Sequence, residues 1–177
     1  MLIGHGIRLR HVEEADLDRL IPLLNDLERR GPYLPNLLTP PAQLRQKFQA
    51  DGFSTPDFER LLITDEADKL LGTIWHFKSV PYYNAREIGY VLFDTGARNQ
   101  GVMSQSVRLL VDFLFESTHL NRLEIRMSTD NLPSERVAIK CGFSKEGVAR
   151  GANYVRGRHV DMCVYAMLRS DWAALRA

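Results

Sequence analysis

Apolar and polar residues alternate along this chain with two different periods, and the places where the period changes mark out its elements. Ile7–Arg10 alternates apolar with basic residues and predicts a short strand. Glu13–Arg30 carries Leu17, Leu20, Ile21, Leu24 and Leu27 at helical spacing. Its acids come early and its arginines late, the order a helix dipole favours, and Gly31-Pro32 ends it. A weaker helix, Leu37–Asp51, opens around Thr39-Pro40-Pro41, where proline in a first turn costs little. Arg60–Asp65, Lys69–Ser79 and Ala85–Phe93 are apolar-rich runs that read as successive antiparallel hairpins. Gly101–Thr118 is the strongest helix, with Met103, Val107, Leu110 and Leu114 on one face. Leu123–Met127 follows as a strand and Asn131–Cys141 as a compact helix, with Gly142 suited to the left-handed position after it. Phe143–Arg150 and Val160–Leu168 close the chain as strands around a turn containing Gly157. Helices interspersed with a mostly antiparallel meander predict an α+β fold, and 177 residues suit a single domain over 1–177.

Composition narrows the function classes. Hydrophobic residues make up 45% and charged residues 25%, near globular averages. A net charge of +1, with no basic stripe, argues against nucleic acid as a partner. No apolar run approaches the roughly 20 residues that cross a bilayer, so no membrane association is expected. The start of the chain lacks a basic segment followed by an apolar one, and the expected compartment is the cytoplasm. Cys141 and Cys163 are too few for a disulfide framework, and the histidines show no metal-ligand spacing, so no metal is expected.

The segment Arg98-Asn99-Gln100-Gly101-Val102-Met103 follows an apolar strand and opens the strongest helix. Unpaired amides at a helix start attract anions such as pyrophosphate, and glycine lets the backbone approach closely. Read alone, the loop fits either an anion site or a plain turn. Asn131 reads as a helix cap and Ser134 as a first-turn residue.

In order and spacing, Ile88-Gly89-Tyr90, Arg98–Gly101, Asn131-Leu132-Pro133-Ser134, Val137–Phe143 and Asp161…Tyr165 resemble the GNAT acetyltransferases over nearly the whole chain. The branch most similar is the one that acetylates N-terminal amines of ribosomal proteins. The resemblance implies a central twisted, mostly antiparallel mixed sheet flanked by helices, with the fourth and fifth strands splayed around acetyl-CoA. It implies that main-chain groups of Val91, Leu92 and Phe93 hold the pantetheine arm. The amides of Arg98, Asn99, Gln100, Gly101, Val102, Met103 and Ser104 would hold the pyrophosphate. Met103 departs from the glycine or alanine usual there. Asn131 would bond the pantetheine arm, and Ser134 would lie near the thioester sulfur, ready to protonate the departing thiolate.

Only a neutral amine attacks a thioester, so a proton acceptor near the amine is useful. The ribosomal-protein branch has a glutamate where this chain has Asn153, and asparagine accepts no proton. Glu87 is the leading replacement: it stands as far before the glycine loop as the base of the histone-type enzymes, and strand alternation puts it on one face with Gly89 and Val91. The same position also suits a solvent-facing strand end. Direct proton loss to water, with Tyr154 or Ser134 as the acid, is the third route.

Tyr33, Leu34, Tyr82, Tyr83 and Asn153 are the candidate acceptor walls, with Leu37 and Leu38 beside them. Aromatic residues with polar tips suit an amine on a partly apolar body, a small molecule or a peptide end. Trp75 and Phe77 read as core and rim packing, and Cys141 as a small buried apolar residue. The leading function is direct acetyl transfer from acetyl-CoA to a primary amine, the enzyme being a possible homodimer. The alternatives are a CoA-binding or sensing module that has lost catalysis, and an acyltransferase with another acyl donor or an O-acceptor.

Overall fold

Alternating burial along the strands builds the molecule around one twisted sheet. The computed structural model describes residues 1–176. In chain order the elements are β1 (Leu2–Ile3), β2 (Arg8–His11), α1 (Leu17–Asn25), α2 (Pro41–Asp51), β3 (Ser54–Thr55), β4 (Phe58–Thr64) and β5 (Leu70–Phe77). They continue with β6 (Ala85–Leu92), α3 (Val102–Ser117), β7 (Arg122–Ser128), α4 (Leu132–Lys140), β8 (Ser144–Val155), β9 (Arg158–Leu168) and α5 (Arg169–Ala174). The strands lie in the order β1-β2-β4-β5-β6-β7-β9-β8, with β3 paired to β4 off that path. Every pairing is antiparallel except β6 with β7.

Because side chains alternate across a strand, the sheet carries two cores. Ile74, Ile88, Leu123 and Ile125 pack under Val107, Leu110 and Leu114 of α3 and Ala138 of α4. On the opposite face Leu62 and Phe93 pack against Leu17, Leu20 and Ile21 of α1, with Phe48 of α2 at the edge.

The helix expected over Glu13–Arg30 is shorter at both ends. A single 3-10 turn, Glu14–Asp16, precedes it, and it stops at Asn25. Asp26 turns extended and its Oδ1 accepts from the amides of Glu28 and Arg29 at 3.1 and 3.0 Å. Those local bonds compete with helix continuation, and they send Arg29 and Arg30 away from the α1 axis. Asn25 then fixes the return of the chain by exchanging two bonds with the Thr39 backbone. The second helix begins at Pro41 instead of Leu37, with a proline in its first turn. The last hairpin is longer than expected: Arg156 and Gly157, at φ 50° and 85°, form a tight two-residue turn between paired Val155 and Arg158. The short strands β1 and β3 and the helix α5 have no counterpart in the periodicity reading. Arg169 at the head of α5 donates to the carbonyls of Phe115, Thr118 and Leu120, closing the end of α3.

Candidate functional site

The parallel ladder between β6 and β7 is short. It runs through Ala85–Arg122, Arg86–Leu123 and Glu87–Glu124, and stops there. Beyond that point β6 continues to pair with β5 as far as Leu92, and β7 with β9 as far as Ser128. The strands therefore separate into a wedge, and part of the β6 backbone from Ile88 to Leu92 loses its β7 partner. A cavity of about 770 Å³ fills this wedge. Its walls come from β6, β7, the starts of α3 and α4, and the loop after α1.

On the α3 side, Gly101 is left-handed at φ 81° and caps the helix; a Cβ built there would meet nothing within 4 Å. The first amide of α3 to find a main-chain acceptor is that of Gln105, on the Gly101 carbonyl at 3.0 Å. The amides of Val102, Met103 and Ser104 thus point along the helix axis towards the cavity, where an anion gains from them. Met103 packs its side chain into the core, 7% exposed, while also forming part of the cavity wall.

Ser134 sits in the first turn of α4. Its amide donates to Asn131 Oδ1 at 3.3 Å, the cap expected of that asparagine. Its hydroxyl lies 2.8 Å from the Tyr90 hydroxyl, which projects from β6 across the wedge. Burial raises the Tyr90 phenol well above its ordinary range, against a weaker lowering by Ser134, so the phenol stays protonated at neutral pH.

Glu87 stands at the point of the wedge. It faces Glu124 across the parallel ladder, with Arg126 Nε 3.6 Å from its carboxylate. Burial and the Glu124 charge raise its pKa, while Arg126 and a bond from Ser79 oppose the rise. Arg126 belongs mainly to the buried Glu124, which it meets at 2.7 and 3.0 Å. Trp75 lies over Gly89 on the same face as Glu87; a Cβ on Gly89 would stand 2.4 Å from the indole. The side-chain-free Gly89 is what lets Trp75 line the cavity.

The loop after α1 forms one wall of the cavity, from Arg29 to Pro35. Arg156 from the β8–β9 turn donates to the Leu27 and Gly31 carbonyls, and the Tyr33 hydroxyl donates to the Asp130 carbonyl at 3.2 Å.

With this geometry in place, residues 7–144 match the family described as the acetyltransferase (GNAT) domain. The chain belongs to the GNAT acetyltransferases. Among relatives of this acetyltransferase, an uncharacterized N-acetyltransferase p20 of Bacillus licheniformis is 30% identical over 157 residues, 87% of this chain and 72% of the relative. Of solved structures, RimL, a ribosomal-protein alpha-N-acetyltransferase in complex with coenzyme A, superposes with a TM-score of 0.80 at 26% identity. That match covers 93% of this chain and 95% of the other. A spermidine N-acetyltransferase from Vibrio cholerae, solved with CoA and spermine, reaches 0.83 over 96% and 99% of the two chains, at 17% identity, and shows the shared fold.

The acetyltransferase brings most of the residues singled out in its sequence to one cavity. Glu87, Val91, Leu92, Arg98, Asn99, Gly101, Val102, Met103, Ser104, Asn131, Ser134, Tyr33, Leu34 and Asn153 all line it. Others stand elsewhere. Tyr154 is 58% exposed, stacks edge-on against His159 and borders a separate depression with Pro35 and Leu37. Tyr82 and Tyr83 pack against each other in an exposed turn away from the cavity. Phe93 is buried in the α1-side core and its amide is already bonded to the Leu71 carbonyl. Gln100 folds back onto the Gly96 carbonyl at 2.7 Å, and the amide of Arg98 is taken by Thr95. Cys141 bonds the Ser104 carbonyl, and burial pushes its thiol up to about 11, which leaves it a packing residue. Trp75, Arg30 and Arg126, all on the cavity wall, were not among the sequence candidates. Trp75 and Phe77 alternate with His76 along β5, a pattern that core and rim packing shares, so period alone does not separate a cavity wall from packing.

Proposed function

We propose that the protein transfers an acetyl group from acetyl-CoA directly to a primary amine, that of a small molecule or of a peptide or protein N-terminus, with the whole chain acting as one domain. The observation that carries this reading is the wedge itself, with Glu87 at its point and the Tyr90–Ser134 hydroxyl pair across from it.

The residues present suit the cofactor. Main-chain groups of Ile88–Leu92 without a β7 partner match an amide-bearing pantetheine arm, and the amides of Val102, Met103 and Ser104 match a pyrophosphate. Open space at Gly101 leaves room for it, and Arg98, Arg136 and Lys140 on the same wall supply positive charge. Acetyl-CoA supplies an activated thioester there.

Glu87 accepts the proton of the incoming amine, at the end of the wedge facing the acceptor. A raised carboxyl pKa brings it nearer to that of the amine and makes it a better acceptor than an exposed glutamate. It does this work in place of the glutamate that Asn153 replaces. On the other side, Ser134 donates towards the departing sulfur and is itself held by the protonated Tyr90. No covalent bond to the protein is involved.

Calorimetric titration with acetyl-CoA, with CoA and ATP as controls, followed by thiol release over a panel of amines, tests the reading. Saturable acetyl-CoA binding and amine-dependent thiol release are expected. Absence of binding overturns the cofactor assignment; binding without thiol release on any amine favours a CoA-sensing module instead.

A further inference from the structure

Glu87 is the one acidic side chain on the cavity wall among the described residues, whereas Arg29, Arg30, Arg98, Arg126, Arg136 and Lys140 are all basic. Two of these cations have a carboxylate partner, and three more stand where the proposed cofactor would bring negative charge. Arg98, Arg136 and Lys140 stand on the α3–α4 side, where the phosphates of the proposed cofactor would lie. Arg126 is bound to Glu124 and lies beside Glu87, and Arg29 meets Asp26 at 3.2 Å. Arg30 is left over. It donates one bond, to the Leu37 carbonyl at 2.8 Å, and has no carboxylate partner among the described residues.

A second arginine lies at the edge of the same cavity, on the strand next to Trp75 and against its ring, although it is not part of the cavity's own lining. Arg60, on β4, is in register with Trp75, which is in register with Gly89. Its guanidinium lies 5.0 Å from the Trp75 ring and 5.8 Å from the Phe58 ring, with no carboxylate or carbonyl acceptor among the described residues. Its side-chain nitrogens have no hydrogen-bond partner among the described residues, and the residue is half-buried and not sealed from solvent. Arg30 and Trp75 line the same cavity and Arg60 rests on Trp75; burial first, and then the Arg30 charge, push the Arg60 pKa down to about 10. A partly desolvated cation without a counter-ion carries a cost, and aromatic stacking offsets only part of it. A ligand anion would offset the rest.

We infer that the acceptor amine carries a carboxylate, and that Arg30 and Arg60 receive it beside Trp75 while the amine reaches Glu87. The inference rests on the acetyl-transfer reading for the identity of the acceptor. Neighbouring strands lie roughly 4.8 Å apart, so β4 and β6 stand on the order of 10 Å from each other. That spacing is about the span of an extended dipeptide or tripeptide. The carboxylate belongs either to the main-chain end of a short peptide or to an acidic side chain near a peptide's N-terminus. A polycationic amine, which needs acidic walls, does not suit this cavity.

The test is binding of two peptide pairs to the full chain with coenzyme A present, followed by tryptophan fluorescence and calorimetry. One pair is Ala-Ala with a free or an amidated C-terminus. The other is Ala-Ala-Glu against Ala-Ala-Gln, both amidated. The anionic member of at least one pair is expected to bind about tenfold tighter, the scale of one hydrogen bond to a charged group, and which pair discriminates identifies the source of the carboxylate. Arg60→Met and Arg30→Gln should each erase the preference without changing coenzyme A affinity; Arg30→Gln, in a loop, serves if Arg60→Met fails to fold. Equal affinity within both pairs, or a preference that survives both substitutions, overturns the inference. Thiol release from acetyl-CoA is recorded in parallel. Preference without thiol release supports the anion site and sinks the transfer reading, and thiol release without preference does the reverse.

Discussion

Glu87→Gln separates proton acceptance from mere packing. The substitution keeps shape and removes the ability to take a proton. It breaks a contact of 3.6 Å with Arg126, which retains Glu124 at 2.7 and 3.0 Å, so stability should change by less than about 1 kcal/mol. The effect on turnover is larger. Positioned general bases contribute about 10²–10⁴-fold, and a carboxylate partly stabilised by Arg126 belongs at the lower end, about 10². The loss also depends on pH. An α-amino group with pKa of about 7.7–8.0 is neutral in roughly one molecule in ten at pH 7 and in nearly all at pH 9. Without Glu87 the reaction draws only on the neutral fraction, so the native-to-variant ratio should fall about tenfold between pH 7 and pH 9. Thiol release from acetyl-CoA at saturating amine, from pH 6 to 9, reads this directly. A ratio that stays constant with pH, or a variant as fast as the native enzyme at pH 7, removes Glu87 from the proton path.

Ser134→Ala should lower kcat by about 10²-fold, the low end for a positioned proton donor, with acetyl-CoA affinity within twofold or so; a loss confined to affinity would make Ser134 a binding residue only. Gly101→Glu should abolish acetyl-CoA binding in calorimetry by placing negative charge at the α3 amides, and the left-handed backbone at φ 81° should add about 1–2 kcal/mol of destabilisation. Normal affinity in a folded variant would refute the loop assignment. Asp16 ties α1 to the sheet through Arg10 and Arg19 at 2.6 to 2.8 Å. Burial alone would raise its carboxyl, but bonds from Arg10, the Glu13 backbone and Arg19 outweigh that and hold it at about 2, against an ordinary 3.8. With the folded value below the unfolded one, the contribution of about 2 kcal/mol is complete above pH 4 and lost as pH falls towards 2. Asp16→Asn should lower the unfolding free energy at pH 7 by about that amount and flatten this acid limb; a denaturant titration that gives the native pH dependence for the variant would refute it.

How much of this was legible in the sequence differs from element to element. The α3 helix and the glycine loop before it stood out because a long amphipathic period and a single glycine at its head are local signals, and both are where they were expected. The α4 cap at Asn131 is equally local. The end of α1 was misplaced because apolar spacing ran on through Leu27, while the Asp26 side chain captured the next amides and turned the chain. That contest between a side chain and the helix ladder leaves no trace in periodicity. The same turn carries Arg30 to the cavity, which is why it was absent from the sequence candidates. The chemistry of Tyr82, Tyr83 and Tyr154 suits a site, but chemistry alone does not say which way an exposed loop or hairpin faces.

The sequence by itself determined the α+β class and the helix that opens on the glycine loop, because each depends on neighbours a few positions away, and it offered candidates for binding and proton transfer from their chemistry alone. Tertiary structure decided which of those residues meet. Where the parallel ladder stops after Glu87, how the Tyr90 hydroxyl reaches Ser134 across 44 positions of chain, and how Arg60 comes to rest on Trp75 are set by strand register. Register is a property of pairs of strands far apart in sequence, and a shift of one residue would turn each of these side chains to the other face of the sheet.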